Sequence, residues 1–507
     1  MHIQAGDHTY RLIALLHILT AVFTQENGGH IVYPELFRSR DADGRRLLKI
    51  TDDILLKLKK SSVLEREFLV RTYTDGIPMH TYMSGPYLED DLYHDEASMA
   101  SVTVSYDSGL RVEGIVNPRM RIAPLLTEER NAKGRIAHQL IEIQDELTSA
   151  DEDYEVSAYK AMRAFNGAEI RIQSIQVSER SSDIIRPELF VVVDSLFAKV
   201  FSSTANIIKY VAITVNAINL RYLGVTDPKV KHTLVGLEVT TVEKEWFLRR
   251  VTRDPRYVHA QGTLASFHTY VTQNRELYDN ADIVFLLTGQ DLATIKNYQV
   301  NNGSGGFAYI RTVCTEYKVG VGEDRPPTFK GVHVMAHEIG HSLGCLHDGE
   351  DSPFGSQDIP GSRECPFQDG YLMSYIRKDS NTYKFSPCSI QQIRETARSQ
   401  VGSCLYVKNN NRTSMKYYSY LPGEMMTRTK QCQNAFPTLR NVEFIEEMGV
   451  KDCSIRCGTT GKKRDTEPKR LHLSDGSPCK TKNGRTYNCI NGLCLKKKKS
   501  YGRKAVP

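Results

Sequence analysis

Short stretches that mix apolar and polar positions with a period near two dominate the first third of the chain. Residues 68–72 and 100–104 are examples, and acidic segments such as residues 89–91 interrupt them. A period of two is typical of strands with one buried and one exposed face. The pattern therefore predicts a strand-rich unit over residues 26–186.

Longer apolar runs and a helical period begin at Pro187. Residues 189–193 are apolar throughout and have the length of a strand. Further strands are predicted at residues 233–239 and 283–287, with a helix at residues 264–277. Strands that alternate with helices favour an α/β fold with a mostly parallel sheet. The long helix predicted after the first strand has an apolar face of Ile207, Ile208, Val211, Val215, Ile218 and Tyr222.

The regular pattern fades after Cys404 into a segment rich in Gly, Asn, Lys and Cys. We place a domain boundary near Asn410, which gives one domain at residues 187–410 and a small module at residues 411–507. The whole chain is 40% hydrophobic and 25% charged, which is ordinary for globular domains and excludes wholesale disorder, collagen and coiled coil.

The cysteines indicate an oxidising compartment. All 11 lie from Cys314 onward, and six of them fall between Cys432 and Cys494. Near the N-terminus, Arg11 precedes a largely apolar stretch at residues 12–23, which predicts a secretory signal peptide at residues 1–25. A buried first helix is the alternative for that stretch.

The chain is thus expected to be secreted and extracellular. No later segment approaches the roughly 18 apolar residues that a membrane helix needs, so we predict no membrane span. Two sequons, at Asn302 and Asn411, are candidates for N-glycosylation.

The C-terminal module is strongly basic. Residues 408–507 contain 22 Lys and Arg against 8 Asp and Glu, whereas the rest of the chain is mildly acidic. Either this charge is a solvated face, or it anchors the protein to sulfated glycans or acidic matrix. Nucleic acid is not an expected partner of a secreted chain. The basic clusters contain Lys462, Lys463, Arg464, Lys469, Arg470, Lys496, Lys497, Lys498, Lys499, Arg503 and Lys504.

A metal-binding pattern lies on a predicted helix around residues 332–343. His337 and His341 are four residues apart, so both imidazoles lie on one helix face and can bind one Zn²⁺. Glu338, beside the first histidine, is placed to act on a water at the metal. Val332, Met335, Ile339 and Leu343 form an apolar stripe roughly opposite the histidines.

Three further residues complete the pattern at fixed spacing. Gly344 allows a sharp turn that returns His347 as a third ligand, and Asp348 follows it. Packed or solvated histidines and a closed structural zinc site are the alternatives. A closed site usually recruits cysteines or a fourth protein ligand, whereas a glutamate adjoins this one.

At these residues the sequence resembles the metzincin metalloproteases, and Asp348 points to the adamalysin (reprolysin) family, which includes snake-venom, ADAM and ADAMTS proteases. Met373, within residues 371–375, is similar to the family's methionine turn beneath the zinc. Residues 188–193 and 306–314 resemble its first strand and its substrate-binding edge strand. The last cysteines are similar to the ADAMTS cysteine-rich module, and the overall texture is similar to tick salivary metalloproteases.

The resemblance implies a metzincin-type protease domain with an active-site helix, a strand-rich pro-domain before it and a disulfide-rich module after it. It also implies a disulfide between Cys314 and Cys404, and it leaves room for a structural Ca²⁺ beside the catalytic Zn²⁺. Tyr375 is unusual for adamalysins: it either assists the zinc site and the oxyanion, as in astacins and serralysins, or packs in the turn.

Two features depart from the family. Residues 1–313 contain no cysteine, so a pro-region thiol cannot silence the zymogen, and we expect a side chain such as His80 or Asp95, or steric cover, to do so. No basic processing site lies near residue 186. Of the 11 cysteines at least one is unpaired within the chain, and we expect Cys345 to be bridged.

The sequence therefore predicts a secreted zinc metalloendopeptidase, made as a zymogen, that hydrolyses extracellular proteins such as matrix or plasma proteins. The alternative is a secreted binding or anti-haemostatic protein that acts through its cysteine-rich module and carries a vestigial protease domain.

Overall fold

The computed structural model describes residues 29–38, 46–74, 76–106, 109–143, 154–155, 183–303, 305–352, 359–408, 423, 426–436, 439, 441–459, 467–482, 485–490 and 492–496. The contacts divide the chain into two compact units, Met1–Asn411 and Arg412–Pro507. The expected signal peptide, Asn411 and the basic residues beyond Lys496 lie outside the described residues.

The N-terminal part of the first unit contains eleven described strands and one short helix. Nine strands form an antiparallel sheet in the order β1-β11-β10-β9-β8-β7-β4-β3-β2, and the other two join a second sheet. Within β4 the buried and exposed side chains alternate, as the period of two predicts. The elements are β1 (His30–Val32), β2 (Glu35–Arg38), β3 (Arg46–Lys49), β4 (Leu55–Lys60), β5 (Leu64–Thr74), β6 (Ile77–Ser84), α1 (Gly85–Leu88), β7 (Leu92–Asp95), β8 (Ala100–Ser105), β9 (Arg111–Asn117), β10 (Met120–Pro124) and β11 (His138–Glu142).

The following part alternates strands and helices, and the mixed α/β class is confirmed. Its elements are β12 (Tyr154–Glu155), β13 (Ile184–Ile185), β14 (Glu188–Val193), α2 (Ser195–Ala198), α3 (Thr204–Arg221), β15 (Lys229–Val230), β16 (Thr233–Val239), β17 (Arg250–Val251), β18 (Asp254–His259), α4 (Ala260–Gln273), α5 (Arg275–Tyr278), β19 (Ile283–Thr288), β20 (Asp291–Lys296), β21 (Gln299–Asn301), β22 (Gly306–Tyr309), β23 (Val319–Glu323), α6 (Gly331–Ser342) and α7 (Pro387–Arg398).

The second sheet has the order β12-β22-β23-β19-β14-β16-β5-β6. Strand β14 pairs in parallel with both β16 and β19, and β19 pairs in parallel with β23, whereas β22 is antiparallel to β23. Every residue of β14 is buried because helices cover both faces. Leu189 and Val191 face the core that contains α3 and α6, and Phe190 and Val192 face the core that contains α4.

Strands β5 and β6 come from residues 26–186, whose pattern predicts a separate strand-rich unit. Strand β5 nevertheless pairs in parallel with β16, and β6 pairs with β5 in an antiparallel hairpin. Phe68 and Val70 of β5 are buried in the same core as α3 and α6. The two regions therefore share one sheet and one hydrophobic core.

Disulfides replace much of the apolar core in the second unit. They join Cys432 to Cys457, Cys453 to Cys489 and Cys479 to Cys494, and these cysteines are a large part of the unit's only described hydrophobic cluster. A unit of this size buries too little apolar surface to be stable without such links. Its elements are α8 (Arg428–Ala435), β24 (Val442–Phe444), β25 (Ser454–Thr459), β26 (Lys469–His472), β27 (Pro478–Lys482), β28 (Arg485–Ile490) and β29 (Leu493–Lys496).

In the first unit Cys314 is bonded to Cys404 and Cys365 to Cys388, which leaves Cys345 as a free, buried thiol. The expectation that Cys345 is bridged is wrong. Its thiol instead packs in the core against the backbone carbonyl of Ser389. Within the described ranges, no helix combines the length and the apolar character that crossing a bilayer requires.

Candidate metal centre

Helix α6 is fixed at its start by a buried carboxylate. Asp324, directly after β23, accepts a hydrogen bond from the N–H of Gly331 at 3.1 Å and another from the hydroxyl of Tyr210 on α3 at 2.8 Å. Burial raises the pKa of Asp324 to about 6. The carboxylate thus ties the first turn of α6 to both the sheet and α3.

The predicted apolar stripe of α6 faces the core. Val332, Met335, Ile339 and the following Leu343 are all at most 2% exposed and belong to one hydrophobic cluster. The residues on the other side of the helix include His337 and His341. Burial of one face therefore fixes the direction in which the imidazoles point.

Gly344 makes the turn that returns the chain to the helix. Its φ is +102°, and a Cβ at this position would collide with the hydroxyl of Thr396. On the far side of the turn, the N–H of Leu346 donates to Oε1 of Gln392 on α7 at 3.0 Å. These contacts hold the segment that carries His347.

The three histidines converge as the sequence predicts. One ligand atom from each of His337, His341 and His347 lies within 4.8 Å of the others. The Nε2 atoms of His337 and His341 are 3.0 Å apart, and all three residues are at most 4% exposed. A cation enclosed here would be bound mainly by nitrogen.

Each ring is oriented through its Nδ1 atom. The Nδ1 of His337 lies 2.7 Å from the carbonyl oxygen of Leu372, and that of His341 lies 2.8 Å from the carbonyl oxygen of Cys345. Because a carbonyl only accepts, both Nδ1 atoms carry a proton, and in the neutral imidazole the Nε2 atom then presents its lone pair. The residues therefore fit zinc, for which tetrahedral coordination by imidazoles implies an Nε2 separation of about 3.3 Å.

Met373 and Asp348 pack and hydrogen-bond around the three histidines and support the site. Met373 is fully buried, and a Cβ on Gly340 would lie 3.0 Å from its sulfur, so the methionine packs directly against α6. The N–H of Asp348 donates to the carbonyl oxygen of Met373 at 3.0 Å, and its carboxylate accepts from the hydroxyl of Ser386 at 2.6 Å. Burial raises the pKa of Asp348 to about 6.

Glu338 lies between the histidines and the edge of the sheet. It is 1% exposed, and a Cβ on Gly306 of β22 would lie only 2.5 Å from its Oε1. The glycine thus allows the backbone of β22 to approach the carboxylate closely.

Tyr375 reaches the same centre. Its hydroxyl oxygen lies 3.0 Å from Nε2 of His347, and its ring also contacts the ring of Phe367. Nε2 is the atom of His347 that a metal would take, so the phenol lies where a group bound to the metal would be.

The sequence pattern did not predict the role of one residue of the site, Glu350. Oε1 of Glu350 lies 3.2 Å from Nδ1 of His347, and its Oε2 accepts from the N–H of the same residue at 3.3 Å. Ser362 holds this loop, because its hydroxyl donates to the carbonyl oxygen of His347. A carboxylate three residues after the third histidine is the signal that could have identified it.

Other predicted residues lie away from the centre. The side chain of Asn302 is exposed directly after β21, and its amide lies 3.4 Å from the hydroxyl of Tyr257. His80 lies on β6, at the edge of the sheet opposite β22. Asp95 is buried in the N-terminal part, where it accepts from the N–H of Lys57. A structural Ca²⁺ remains a prediction.

Residues 187–409 match the family described as reprolysin (M12B) family zinc metalloprotease. The venom metalloproteinase antarease TserMP_A of Tityus serrulatus is 26% identical over 406 residues, which cover 78% of this chain and 98% of that protein. The venom metalloproteinase BumaMPs1 of Olivierus martensii is 27% identical over 74% of this chain and 92% of its own length. A Bombyx mori protein named "A disintegrin and metalloproteinase with thrombospondin motifs like" is 26% identical over 82% of this chain and 59% of its own length. Similarity to tick salivary enzymes remains a prediction.

We expect Glu350→Gln to weaken zinc binding by about 10–100-fold, because the neutral amide orients and polarises the His347 ring less well than a carboxylate does. Competition with a chromogenic chelator measures the affinity. Glu364→Gln, an exposed change in the same loop region, is the control and should leave the affinity unchanged. Equal affinities for both variants would show that Glu350 does not support the site.

Proposed function

We propose that the protein is a secreted endopeptidase that is made as a zymogen and cleaves extracellular proteins such as matrix or plasma proteins. The premise is the zinc metalloprotease domain of the reprolysin (M12B) family at residues 187–409. The observation that carries the proposal is the convergence of one ligand atom from each of three histidines, with the buried Glu338 packed against strand β22. His337, His341 and His347 would hold the metal.

The catalytic steps are assigned to this chain's own side chains. When bound, Zn²⁺ supplies a Lewis acid that polarises the scissile carbonyl and makes water more acidic. Glu338 acts as the general base that takes the proton of the attacking water and delivers it to the leaving amine. Tyr375 donates a hydrogen bond from its hydroxyl to the oxyanion that develops on the carbonyl.

The substrate is expected to lie extended along β22. The backbone of this strand passes next to Glu338, and among the described strands β12 is the one that pairs with its outer edge. Main-chain pairing would hold a peptide without demanding particular side chains. Such a mode suits an enzyme that acts on unrelated extracellular proteins.

Strand β22 also supports a way in which the uncut protease is kept inactive without a pro-region cysteine. Tyr154 and Glu155 pair in parallel with Ala308 and Tyr309, so a segment upstream of the protease domain occupies the edge that a substrate would use. Steric cover by β12 therefore replaces the metal-binding thiol in this proposal.

The C-terminal module is proposed to bind sulfated glycans or acidic matrix. Lys469, Arg470, Lys480 and Lys496 are exposed among its described residues. Many weak, screened contacts of this kind attract a polyanion.

A secreted binding protein with a vestigial protease domain is the competing function. Loss of activity in such proteins would remove the pressure to keep the ligands and the base together, whereas this chain retains all four residues in one buried site. Chelator-sensitive cleavage of a generic protein substrate decides between the two.

We expect Glu338→Ala to lower the rate of peptide hydrolysis by about 10²–10⁴-fold, because the general base is lost. Zinc content should stay at one ion per chain, since the three histidines are unchanged. Metal analysis and initial-rate measurements on the same preparation test both parts. A variant that keeps more than about a tenth of the wild-type rate would rule out this role for Glu338.

We expect Tyr375→Phe to lower kcat by about tenfold to a hundredfold with little change in KM, because its hydrogen bond forms mainly in the transition state. Tyr371→Phe, in the same turn, is the control and should keep the wild-type kcat. If both variants behave like wild type, Tyr375 merely packs in the turn.

We expect prolines at both Tyr154 and Glu155 to raise peptide cleavage by the uncut chain on the order of tenfold, because proline removes both backbone N–H groups of β12 and disfavours its pairing in the sheet. The double alanine variant keeps those groups and is the matched control, so it should remain latent. Equal cleavage by the proline and alanine variants would contradict steric cover by β12.

A further inference from the structure

Strand β5 of the β5–β6 hairpin is an internal strand of the protease sheet, and β6 forms the edge. Strand β5 lies between β16 and β6 and has eleven residues, Leu64–Thr74. The N–H of Leu234 on β16 donates to the carbonyl oxygen of Val63 at 2.7 Å, and the pairing continues to Glu238 opposite Arg71. The strand is thus bonded on both edges.

Both faces of β5 are covered as well. Phe68 and Val70 are at most 3% exposed in the core of α3 and α6, and Leu69 packs against the core of α4 on the other face. The N-terminal sheet also binds α3, because the hydroxyl of Ser101 donates to the carbonyl oxygen of Ile213 at 2.9 Å and accepts from the amide of Asn216 at 2.9 Å. Release of this region would expose the protease core.

A buried carboxylate of the protease domain depends on β5 for its counter-charge. Glu238 on β16 is fully buried, and its Oε1 lies 3.6 Å from Nε of Arg71, which is 8% exposed. The hydroxyls of Tyr73 and Tyr270 donate to the same oxygen at 2.5 and 2.7 Å, and Tyr278 donates to Oε2. Burial, reinforced by the Glu238 charge, raises the pKa of Tyr73 to about 12, so its hydroxyl remains a donor.

Removal of β5 would take away Arg71 and Tyr73 together. Glu238 would then keep its two tyrosines from the protease domain but lose the adjacent cation, and a buried carboxylate without a counter-charge is strongly unfavourable. The edge of β16 would also lose its backbone partners.

We propose that the edge of β16, where Glu238 contacts Arg71 and Tyr73, is a permanent binding site for the strand that carries these two residues. The mature enzyme is then a non-covalent two-chain protein, which keeps residues 64–84 after the connection to the protease domain is cut. This inference rests on the proposed zymogen.

The two edges of the sheet then have different roles. On one side of the sheet, the described residues of β12 that pair with β22 are Tyr154 and Glu155, whereas on the other side β5 is bonded to both β16 and β6 and is buried on both faces. A cut between residues 155 and 186 frees β12 to leave β22. It does not require β5 to leave β16.

The test uses the full chain with a site for a sequence-specific protease inserted between residues 156 and 182, in the Glu338→Ala background. Because this variant is inactive, retention of the pro-region is measured independently of catalysis. After cutting, the two fragments should co-elute at one to one in size-exclusion chromatography and should separate only in denaturant. A pro-region that separates from a catalytic fragment that remains folded, as judged by circular dichroism, would overturn the proposal.

The charge pair is tested by the release rate of the cut complex. Arg71→Met should speed release by roughly tenfold or more, because it leaves Glu238 buried without its cation. Arg66→Met, an exposed change on the same strand, is the matched control and should leave the rate unchanged. In a Glu238→Gln background, Arg71→Met should have much less effect.

Tyr73→Phe provides a second measurement if Arg71→Met fails to fold. It removes one donor to Glu238 without changing the charge, so release should quicken severalfold, less than for Arg71→Met. Equal release rates for wild type, Arg71→Met and Tyr73→Phe would show that Glu238 does not hold the strand. Failure of the retention test leaves the zinc chemistry untouched, whereas loss of zinc binding in wild type would remove the proposed function itself.

Discussion

The hydrogen bonds that hold the Nδ1 atoms of the three histidines decide which nitrogen of each ring faces the centre. Their acceptors are the carbonyls of Leu372 and Cys345 and the carboxylate of Glu350. These come from the methionine turn, the Gly344 turn and the loop after His347. The orientation of the donor set therefore depends on the packing of three separate segments against α6, and any change in one of them alters the tautomer or tilt of a ligand.

Local spacing made much of this centre predictable. The four-residue spacing of His337 and His341 and the turn at Gly344 follow from helix geometry and from the freedom of glycine, and neither depends on distant parts of the chain. Glu350 was missed because a lone carboxylate in a loop has no periodic signal. The free thiol of Cys345 was missed because the partner of a cysteine depends on tertiary distance, which sequence does not give.

For the fold as well, the sequence predicted local elements but not the contacts between distant parts of the chain. Apolar runs identified the buried strands after Pro187, and alternation identified strands before it. Alternation could not show that β5 pairs with β16, because it tells which side chains of a strand are buried but not which strand lies beside it. The paired hydroxyl and carboxylate of Tyr73 and Glu238 are 165 residues apart in sequence. A strand-rich segment and an α/β segment were thus recognised separately, while their common core was not.

This separation also has a consequence for biosynthesis. A ribosome adds about 5–20 residues per second, so the β5–β6 hairpin exists for roughly ten to thirty seconds before β16 is made. During that interval the edge of β5 and the apolar side chains of Leu69 and Val70 have no native partner from the protease domain, and Ile77 and Met79 on β6 are exposed even in the finished fold. Nascent chains at this stage expose an unpaired strand edge, which makes the early hairpin a substrate for the chaperones of the compartment where the protein folds.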